Sequence, residues 1–309
     1  MSALKSRWLT SELYFPYEVR RIRELVSSTV PKIIIAGPLN QVISSIPSDI
    51  NLPIIGMSHA FDVNYPEVNS KARTSIERCS MIIADCRTIR DRILDEYSYS
   101  GPTEIVPYGC DFSFFNKTKI TFENKLQILV TRNWTNVHNN RLILEALVSL
   151  NSKGIDFHCS FVGDGPTLEE GKDYAGDHLK ESQYTFHGRL SQIEIFQLME
   201  RNWVYLSAAE SDGSSVSLLE SMSAGMICLV SSFPSNTEWI NHQENGFIFE
   251  NGKLQDLVKQ LTDISKLPKT HLVKISYRSK QRVSIDGNWE RNKEIFLGAI
   301  TGFLKKDQT

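Results

Sequence analysis

The sequence has 309 residues and a mass of 35.2 kDa, a length that allows two domains of ordinary size. With 41% hydrophobic and 23% charged residues, its composition excludes a disordered or collagen-like chain. The formal net charge of -2 excludes a general electrostatic attraction to nucleic acid or to anionic lipid.

The cysteines and the apolar runs restrict the compartment. The five cysteines contain no C-x-x-C pair, which argues against a disulfide framework or a zinc knuckle, and we expect them to be buried. No apolar run approaches the roughly 18 residues that cross a bilayer, and the start of the chain has no hydrophobic signal core. We therefore expect a cytoplasmic protein.

The first half of the chain alternates short apolar runs with helical patterns. The runs are KIIIAG (32–37), LPIIGM (52–57), MIIAD (81–85) and TEIVP (103–107). This alternation predicts a parallel sheet flanked by helices. Four strand signals are few for an independent doubly wound domain, so we expect a reduced N-terminal domain.

The stretch from Pro107 to Lys125 breaks the alternation, and we place the domain boundary there. Beyond it, strands are predicted at 126–131, 157–162, 203–206 and 227–231, with helices at 139–150, 190–201 and 216–224. An amphipathic helix at 289–304 follows. The predicted domains are 1–116, 117–285 and a terminal helix at 286–309 that returns to the first domain.

The run SAAESDGSSVSLLESMSAGMICLVSS (207–232) has the pattern of an anion site. A strand ends near Ser207, a loop with Gly213 follows, and Ser214 or Ser215 can cap a helix that Gly225 terminates. Free N–H groups and the positive end of the helix dipole then lie at the carboxyl edge of a parallel sheet. Such a helix end is suited to phosphate.

Two acidic residues accompany this helix. Glu220 shares a helix face with Ser217, close to the open N-terminus, where a carboxylate can accept from two adjacent hydroxyls. Asp212 lies eight residues earlier, in the loop. The alternative is that both acids only cap and solvate the helix.

The run SDGSSVSLLESMSAGMICLVSSFPSNTEWI, continued by NGFIFE, resembles the donor-binding segment of glycosyltransferase family 4. The segments ILVTRNW (128–134), SFVGDGP (160–166) and FHGRLSQIEIF (186–196) resemble that family's strand-end motifs, and IVPYGCDFSFF (105–115) its interdomain signature. The resemblance implies an α/β, GT-B-like fold of two Rossmann-like doubly wound domains. From this resemblance we expect the N-terminal domain to be the reduced one, because the family's first strands and Gly-rich loop have no counterpart in the sequence.

The resemblance also implies a donor site in the second domain. Asp212 and Glu220 hold the positions of the family's two acidic residues, with Asp in place of the commoner Glu. Glu220 is implied to bind the donor ribose, and Asp212 the sugar and phosphates. The remaining implied donor contacts are Gly213, Ser214, Ser215 and Val216 at the helix start and Leu190, whose main chain touches the base.

Arg132 matches the family arginine that neutralises the pyrophosphate, a role suited to a permanently charged donor of several hydrogen bonds. The lysine usual five residues later is replaced by Val137, with His138 next. A histidine beside an anion has a raised pKa and can carry the missing charge. The alternative is a plain exposed histidine.

The segment GMSHAFDVN (56–64) resembles the part of the family that faces the transferred sugar, and His59 and Asp62 are its candidates. A structural role in a loop is the alternative for each. With Arg132, Asp212 and His138, these two residues complete the catalytic set that the resemblance implies.

The function implied is a retaining transfer of a sugar from a nucleotide diphosphate sugar to a carbohydrate or lipid-linked acceptor, in surface polysaccharide or glycoconjugate synthesis. The donor is a substrate, no cofactor is implied, and the lack of a D-x-D pair implies a metal-independent reaction. The alternatives are a non-catalytic nucleotide-sugar-binding subunit of a transferase complex and a sugar-nucleotide epimerase. We expect no nucleic-acid partner, while peripheral association with a membrane or a partner subunit stays open.

Overall fold

The computed structural model describes residues 20–63 and 70–306, and the chain divides into two units. One unit ends at Val106 and includes the chain from Thr301 onward, and the other spans Pro107–Ile300. Each unit has its own parallel sheet, which confirms the α/β class with two parallel sheets. The domain limits expected from the sequence stay predictions.

The first unit contains a four-stranded sheet with the order β1-β2-β3-β4. After a helix α1, described over 20–29, its elements are β1 (Ile34–Ala36), α2 (Leu39–Val42), β2 (Ile54–Ser58), α3 (Ala60–Val63), α4 (Ser70–Glu77), β3 (Met81–Ala84), α5 (Arg87–Asp95) and β4 (Thr103–Ile105). Ile55 pairs in parallel with Ile35 on one side and with Met81 on the other. All four predicted apolar runs therefore form strands.

The second unit contains a six-stranded parallel sheet with the order β10-β9-β8-β5-β6-β7. Its strands are β5 (Leu126–Val130), β6 (Phe157–Val162), β7 (Tyr184–Gly188), β8 (Val204–Ser207), β9 (Ile227–Ser231) and β10 (Phe247–Phe249). The four strands predicted in this half form its centre. The two edge strands were not predicted, because neither has a long apolar run. The strand β7 is half-exposed along its length, and β10 has only three residues.

Nine helices follow in residues 107–306, and the last of them continues past Ile300 into the part of the chain that belongs to the first unit. They are α6 (Phe112–Phe115), α7 (Asn140–Ser152), α8 (Leu168–His178), α9 (Gln192–Arg201), α10 (Val216–Ala224), α11 (Pro234–Thr237), α12 (Leu254–Ser265), α13 (Lys269–Asp286) and α14 (Trp289–Lys306). The predicted helices correspond to α7, α9, α10 and α14, whereas α8 was not predicted. No helix in the described part of the chain is long and apolar enough to cross a membrane.

The central strands of the second sheet are buried on both faces. Ile128 and Val130 of β5 belong to the core on one face, and Leu129 belongs to the core on the other. Each such side chain contributes about 1.5 to 3 kcal/mol when it is fully buried. Because both faces are largely occupied by apolar packing, we expect the ligand-binding groups of this unit chiefly at the ends of the strands.

Candidate functional site

The strand order of the second sheet reverses between β5 and β8. The chain runs outward from β5 to β7 and then returns, so that β8 pairs with β5 on its other side. Loops that leave the carboxyl ends of two such strands diverge and leave a crevice, where ligands of open α/β sheets bind. Arg132 follows β5, and the loop that contains Asp212 follows β8.

Arg132 and Asp212 meet at this crevice. Arg132 Nη2 donates to Asp212 Oδ2 at 2.6 Å, and the two side chains are 10% and 20% exposed. Arg132 Nη1 donates to Ser215 Oγ at 2.7 Å and to Ser217 Oγ at 3.2 Å. Burial lowers the pKa of Arg132, but Asp212 and Tyr205 outweigh it and keep the pKa above its ordinary value. A permanent cation is therefore fixed at the start of α10.

Glycines let the loop after β6 approach the same backbone. A Cβ at Gly163 would lie 2.6 Å from the carbonyl oxygen of Arg132, and Gly163 has a φ of +127. Gly165 approaches the carbonyl oxygen of Trp134 in the same way, also with a positive φ. Only glycine adopts a positive φ and also allows the backbone of another segment to approach this closely without strain. The motif SFVGDGP thus supports the segment that carries Arg132.

The N-terminus of α10 is built as the sequence predicts, with one difference. Ser215 occupies the N-cap position, but its side chain makes no capping hydrogen bond and accepts from Arg132 instead. Gly213 and Ser214 are buried in the preceding loop, and Val216 is exposed. The helix ends at Ala224, with Gly225 following in the left-handed conformation. The first N–H groups of α10 are thus left for other acceptors.

Glu220 lies on α10 in a mostly buried position. Burial raises the pKa of Glu220 to about 7, and a hydrogen bond from Gln192 opposes this rise. Gln192 begins α9, whose N-cap Ser191 forms a capping box with Glu194. Leu190, which precedes Ser191, packs against the same core as α10. At neutral pH the Glu220 carboxyl is therefore divided between its two protonation states.

His138 lies in the short 3-10 turn Asn136–His138 after β5, and its Nδ1 is 2.9 Å from Thr135 Oγ1. Burial and the charge of Arg132 lower the pKa of His138 to about 4, and Asp212 opposes this only in part. The rise in pKa expected from the sequence concerns a histidine beside the donor's diphosphate, and it stays a prediction. The ring is neutral at pH 7 chiefly because it is buried, and the positive charge of Arg132 adds to this effect.

The structure places the remaining candidates in the first unit. His59 directly follows β2 and is half-buried, and Asp62 lies in α3. The side chain of Asp62 is outside the described part of the chain. Arg132, Asp212 and His138 come together within the second unit, and the roles of His59 and Asp62 stay predictions.

Tyr205 is a site residue that the sequence does not reveal. Its hydroxyl lies 2.9 Å from Ser217 Oγ, which in turn is 3.2 Å from Ser215 Oγ. Tyr205 is in the middle of β8, within an apolar run, so no polar pattern indicates it. No group of three or more His, Cys, Asp or Glu side chains suited to a metal ion occurs among residues 20–63 and 70–306.

Residues 112–282 match a family model described as "Glycosyl transferases group 1". An uncharacterized glycosyltransferase of Haemophilus influenzae is 24% identical over 131 residues, which are 42% of this chain. That alignment spans 36% of the relative, about a third of its length.

Solved structures share the fold at low sequence identity. Sucrose-phosphate synthase of Thermosynechococcus elongatus superposes with a TM-score of 0.82 at 13% identity, covering 96% of this chain and 80% of that one. HepE of Anabaena, in complex with UDP-glucose, superposes with a TM-score of 0.75 at 16% identity, covering 91% and 82%. These likenesses confirm the GT-B fold.

Proposed function

Because the chain belongs to the family of glycosyl transferases group 1, we propose that it transfers a sugar from a nucleotide diphosphate sugar to a carbohydrate or lipid-linked acceptor. The transfer retains the anomeric configuration, as in glycosyltransferase family 4. The observation that carries this proposal is Arg132, a buried cation beside the open N-terminus of α10 at the switch point of a parallel sheet.

Departure of the nucleotide diphosphate is the step that this arrangement assists. Negative charge grows on the diphosphate as its bond to the sugar breaks, and fixed positive groups stabilise that charge most when they need not reorganise. Arg132 is fixed by three side chains, and the helix N-terminus adds its N–H groups. The permanent charge of Arg132 makes the reaction metal-independent in this proposal.

Glu220 supports the nucleotide end of the donor. A carboxylate can accept hydrogen bonds from both ribose hydroxyls, and its burial strengthens each of them. Binding of ribose therefore favours the ionised form of Glu220, and a pKa of about 7 lets that form be reached at neutral pH. HepE in complex with UDP-glucose makes a uridine diphosphate sugar the first donor to test.

A non-catalytic nucleotide-sugar-binding subunit is the second candidate, and one observation favours it. Val137 stands where the family has a second cation, and the neighbouring His138, with a pKa of about 4, is neutral at pH 7. With one fixed charge fewer, stabilisation of the departing diphosphate is weaker, although binding of the nucleotide is still supported.

Calorimetry and product analysis together test both candidates. We expect UDP and UDP-glucose to bind in excess chelator, and to bind more weakly when Glu220 is replaced by Ala. The matched control is Glu200→Ala, which removes an exposed carboxylate from α9. Release of UDP in the presence of acceptor indicates a transferase, an altered sugar an epimerase, and binding without a product a binding subunit. Absence of any nucleotide binding contradicts the proposal.

A further inference from the structure

Three hydroxyl groups form a hydrogen-bond network beside the Arg132 guanidinium. Ser215 Oγ and Ser217 Oγ accept from Arg132 Nη1, and the Tyr205 hydroxyl lies 2.9 Å from Ser217 Oγ. Tyr205 is 0% exposed and belongs to the core that includes Leu218. A polar chain thus runs from the interior of the sheet to the first residues of α10.

One arrangement of the hydroxyl hydrogens gives every contact in this network a donor and an acceptor. Tyr205 O–H donates to Ser217 Oγ, and Ser217 O–H donates to Ser215 Oγ at 3.2 Å. Both serine oxygens also accept from Arg132. This arrangement leaves the O–H of Ser215 for an acceptor outside the network. Arg132 and Ser215 are then both oriented as donors at the N-terminus of α10.

We propose that Ser217 and Tyr205 are positioning residues, which hold Arg132 and Ser215 in the orientation that binds a diphosphate. This inference rests on the proposed function, because it assigns the groups behind the phosphate contacts of the same site. Neither residue touches the ligand. Ser217 acts through its hydrogen bonds to Arg132 and Ser215, and Tyr205 acts through its hydrogen bond to Ser217.

The geometry explains why these two positions are polar. An unpaired phenol hydroxyl inside an apolar core is costly, and Ser217 supplies its partner. An arginine side chain has several rotatable bonds, and the two serine contacts on Nη1 together with the Asp212 contact on Nη2 restrict the orientation of its guanidinium. A hydroxyl on the first turn of α10 therefore serves the buried tyrosine and the arginine together.

Calorimetry of the full chain with inorganic pyrophosphate and with UDP tests this role. Ser217→Ala is expected to weaken pyrophosphate binding about tenfold, as the loss of a hydrogen bond to a charged group does. Tyr205→Phe should act in the same direction to a smaller extent, and Ser217→Thr should restore binding. Ser221→Ala is the matched control, since its hydroxyl bonds the Ser217 carbonyl and not the guanidinium, and it should leave binding unchanged.

A double-mutant cycle with Arg132→Lys separates positioning from a general effect on the fold. If Ser217 acts through Arg132, Ser217→Ala should weaken pyrophosphate binding by less than about twofold when Arg132 is already replaced by Lys. An equal loss in both backgrounds, or no loss in either, overturns the inference. Thermal unfolding identifies a variant that fails to fold. Tyr205→Phe, which nearly keeps the side-chain volume, and Ser217→Thr, which keeps the hydroxyl, then decide the outcome. If the unaltered chain binds neither pyrophosphate nor UDP, the proposed function fails and this inference fails with it.

Discussion

At the scale of single residues, Glu220 has the carboxyl group whose ionisation falls at neutral pH. Its folded-state pKa of about 7 lies above its unfolded value, so the unfolded chain releases this proton first as the pH rises. We expect the free energy of unfolding to fall by about 1.4 kcal/mol per pH unit between about pH 4.5 and 7 on this account. Chemical denaturation across that range measures the slope.

Glu220→Gln is the control for this pH dependence, because the amide has the same shape and no titration. The variant should show a flatter profile than the unaltered chain. UDP affinity should show the opposite trend, since the ionised carboxylate is the better acceptor for ribose hydroxyls. An unaltered chain whose UDP affinity is constant from pH 6 to 8 contradicts the ribose role of Glu220.

Asp212 is the carboxylate on which the buried charge of Arg132 depends. Asp212→Asn removes the negative charge 2.6 Å from Arg132 Nη2 and leaves a mostly buried cation uncompensated. We expect a loss of about 2 to 3 kcal/mol in the free energy of unfolding, discounted for the partial exposure of Asp212. Urea denaturation measures it.

The control for Asp212 is Glu210→Gln. It removes an exposed carboxylate two residues away, which accepts from Asn139 Nδ2. Such a surface change should stay within about 0.5 kcal/mol. Equal effects of the two substitutions would show that the pairing with Arg132 contributes nothing specific to stability.

At the scale of elements, the loop after β6 is expected to depend on Gly163. In the Gly163→Ala variant the added Cβ would lie 2.6 Å from the Arg132 carbonyl oxygen, and the alanine would have to adopt a positive φ. We expect the free energy of unfolding to fall by about 2 to 3 kcal/mol and pyrophosphate binding to weaken, because the segment that carries Arg132 must shift. Denaturation and calorimetry measure the two effects.

Gly154→Ala separates the two causes. Gly154 also has a positive φ, of +70, but an added Cβ there has no neighbour within 4 Å. This variant should show only the conformational cost of about 1 kcal/mol and unchanged pyrophosphate binding. A Gly163→Ala protein no less stable than the Gly154→Ala protein would mean that the close approach to Arg132 is not required.

At the scale of the whole molecule, the two units should respond differently to donor fragments. Hydrogen exchange should show UDP protecting the loops at 131–138 and 207–216 in the second unit, because the phosphate-binding groups lie there. UDP-glucose should add protection at 56–63 in the first unit if His59 and Asp62 face the sugar. Uridine, which lacks the phosphates, is the control. Equal first-unit protection by UDP and UDP-glucose argues against the sugar-facing role.

The sequence by itself determined the class of fold and the centre of each sheet. Strands covered on both faces are apolar at most positions, so Leu126–Val130, with Gln127 as its one polar residue, and Ile227–Ser231, which ends in a serine, stand out as apolar runs. The helix that carries Glu220 was equally clear, because a loop glycine, serines and Gly225 mark its limits. Local patterns of this kind depend on neighbours in the chain.

Tertiary structure alone determined which side chains of the site contact one another. Arg132 and Asp212 are 80 residues apart, and their pairing follows from the neighbouring positions of β5 and β8 in the sheet. The lowered pKa of His138 and the raised pKa of Glu220 depend on burial and on distant charges, which no local pattern records. The Tyr205 hydroxyl lies in an otherwise apolar strand, and only the packing of α10 against that strand gives it a partner.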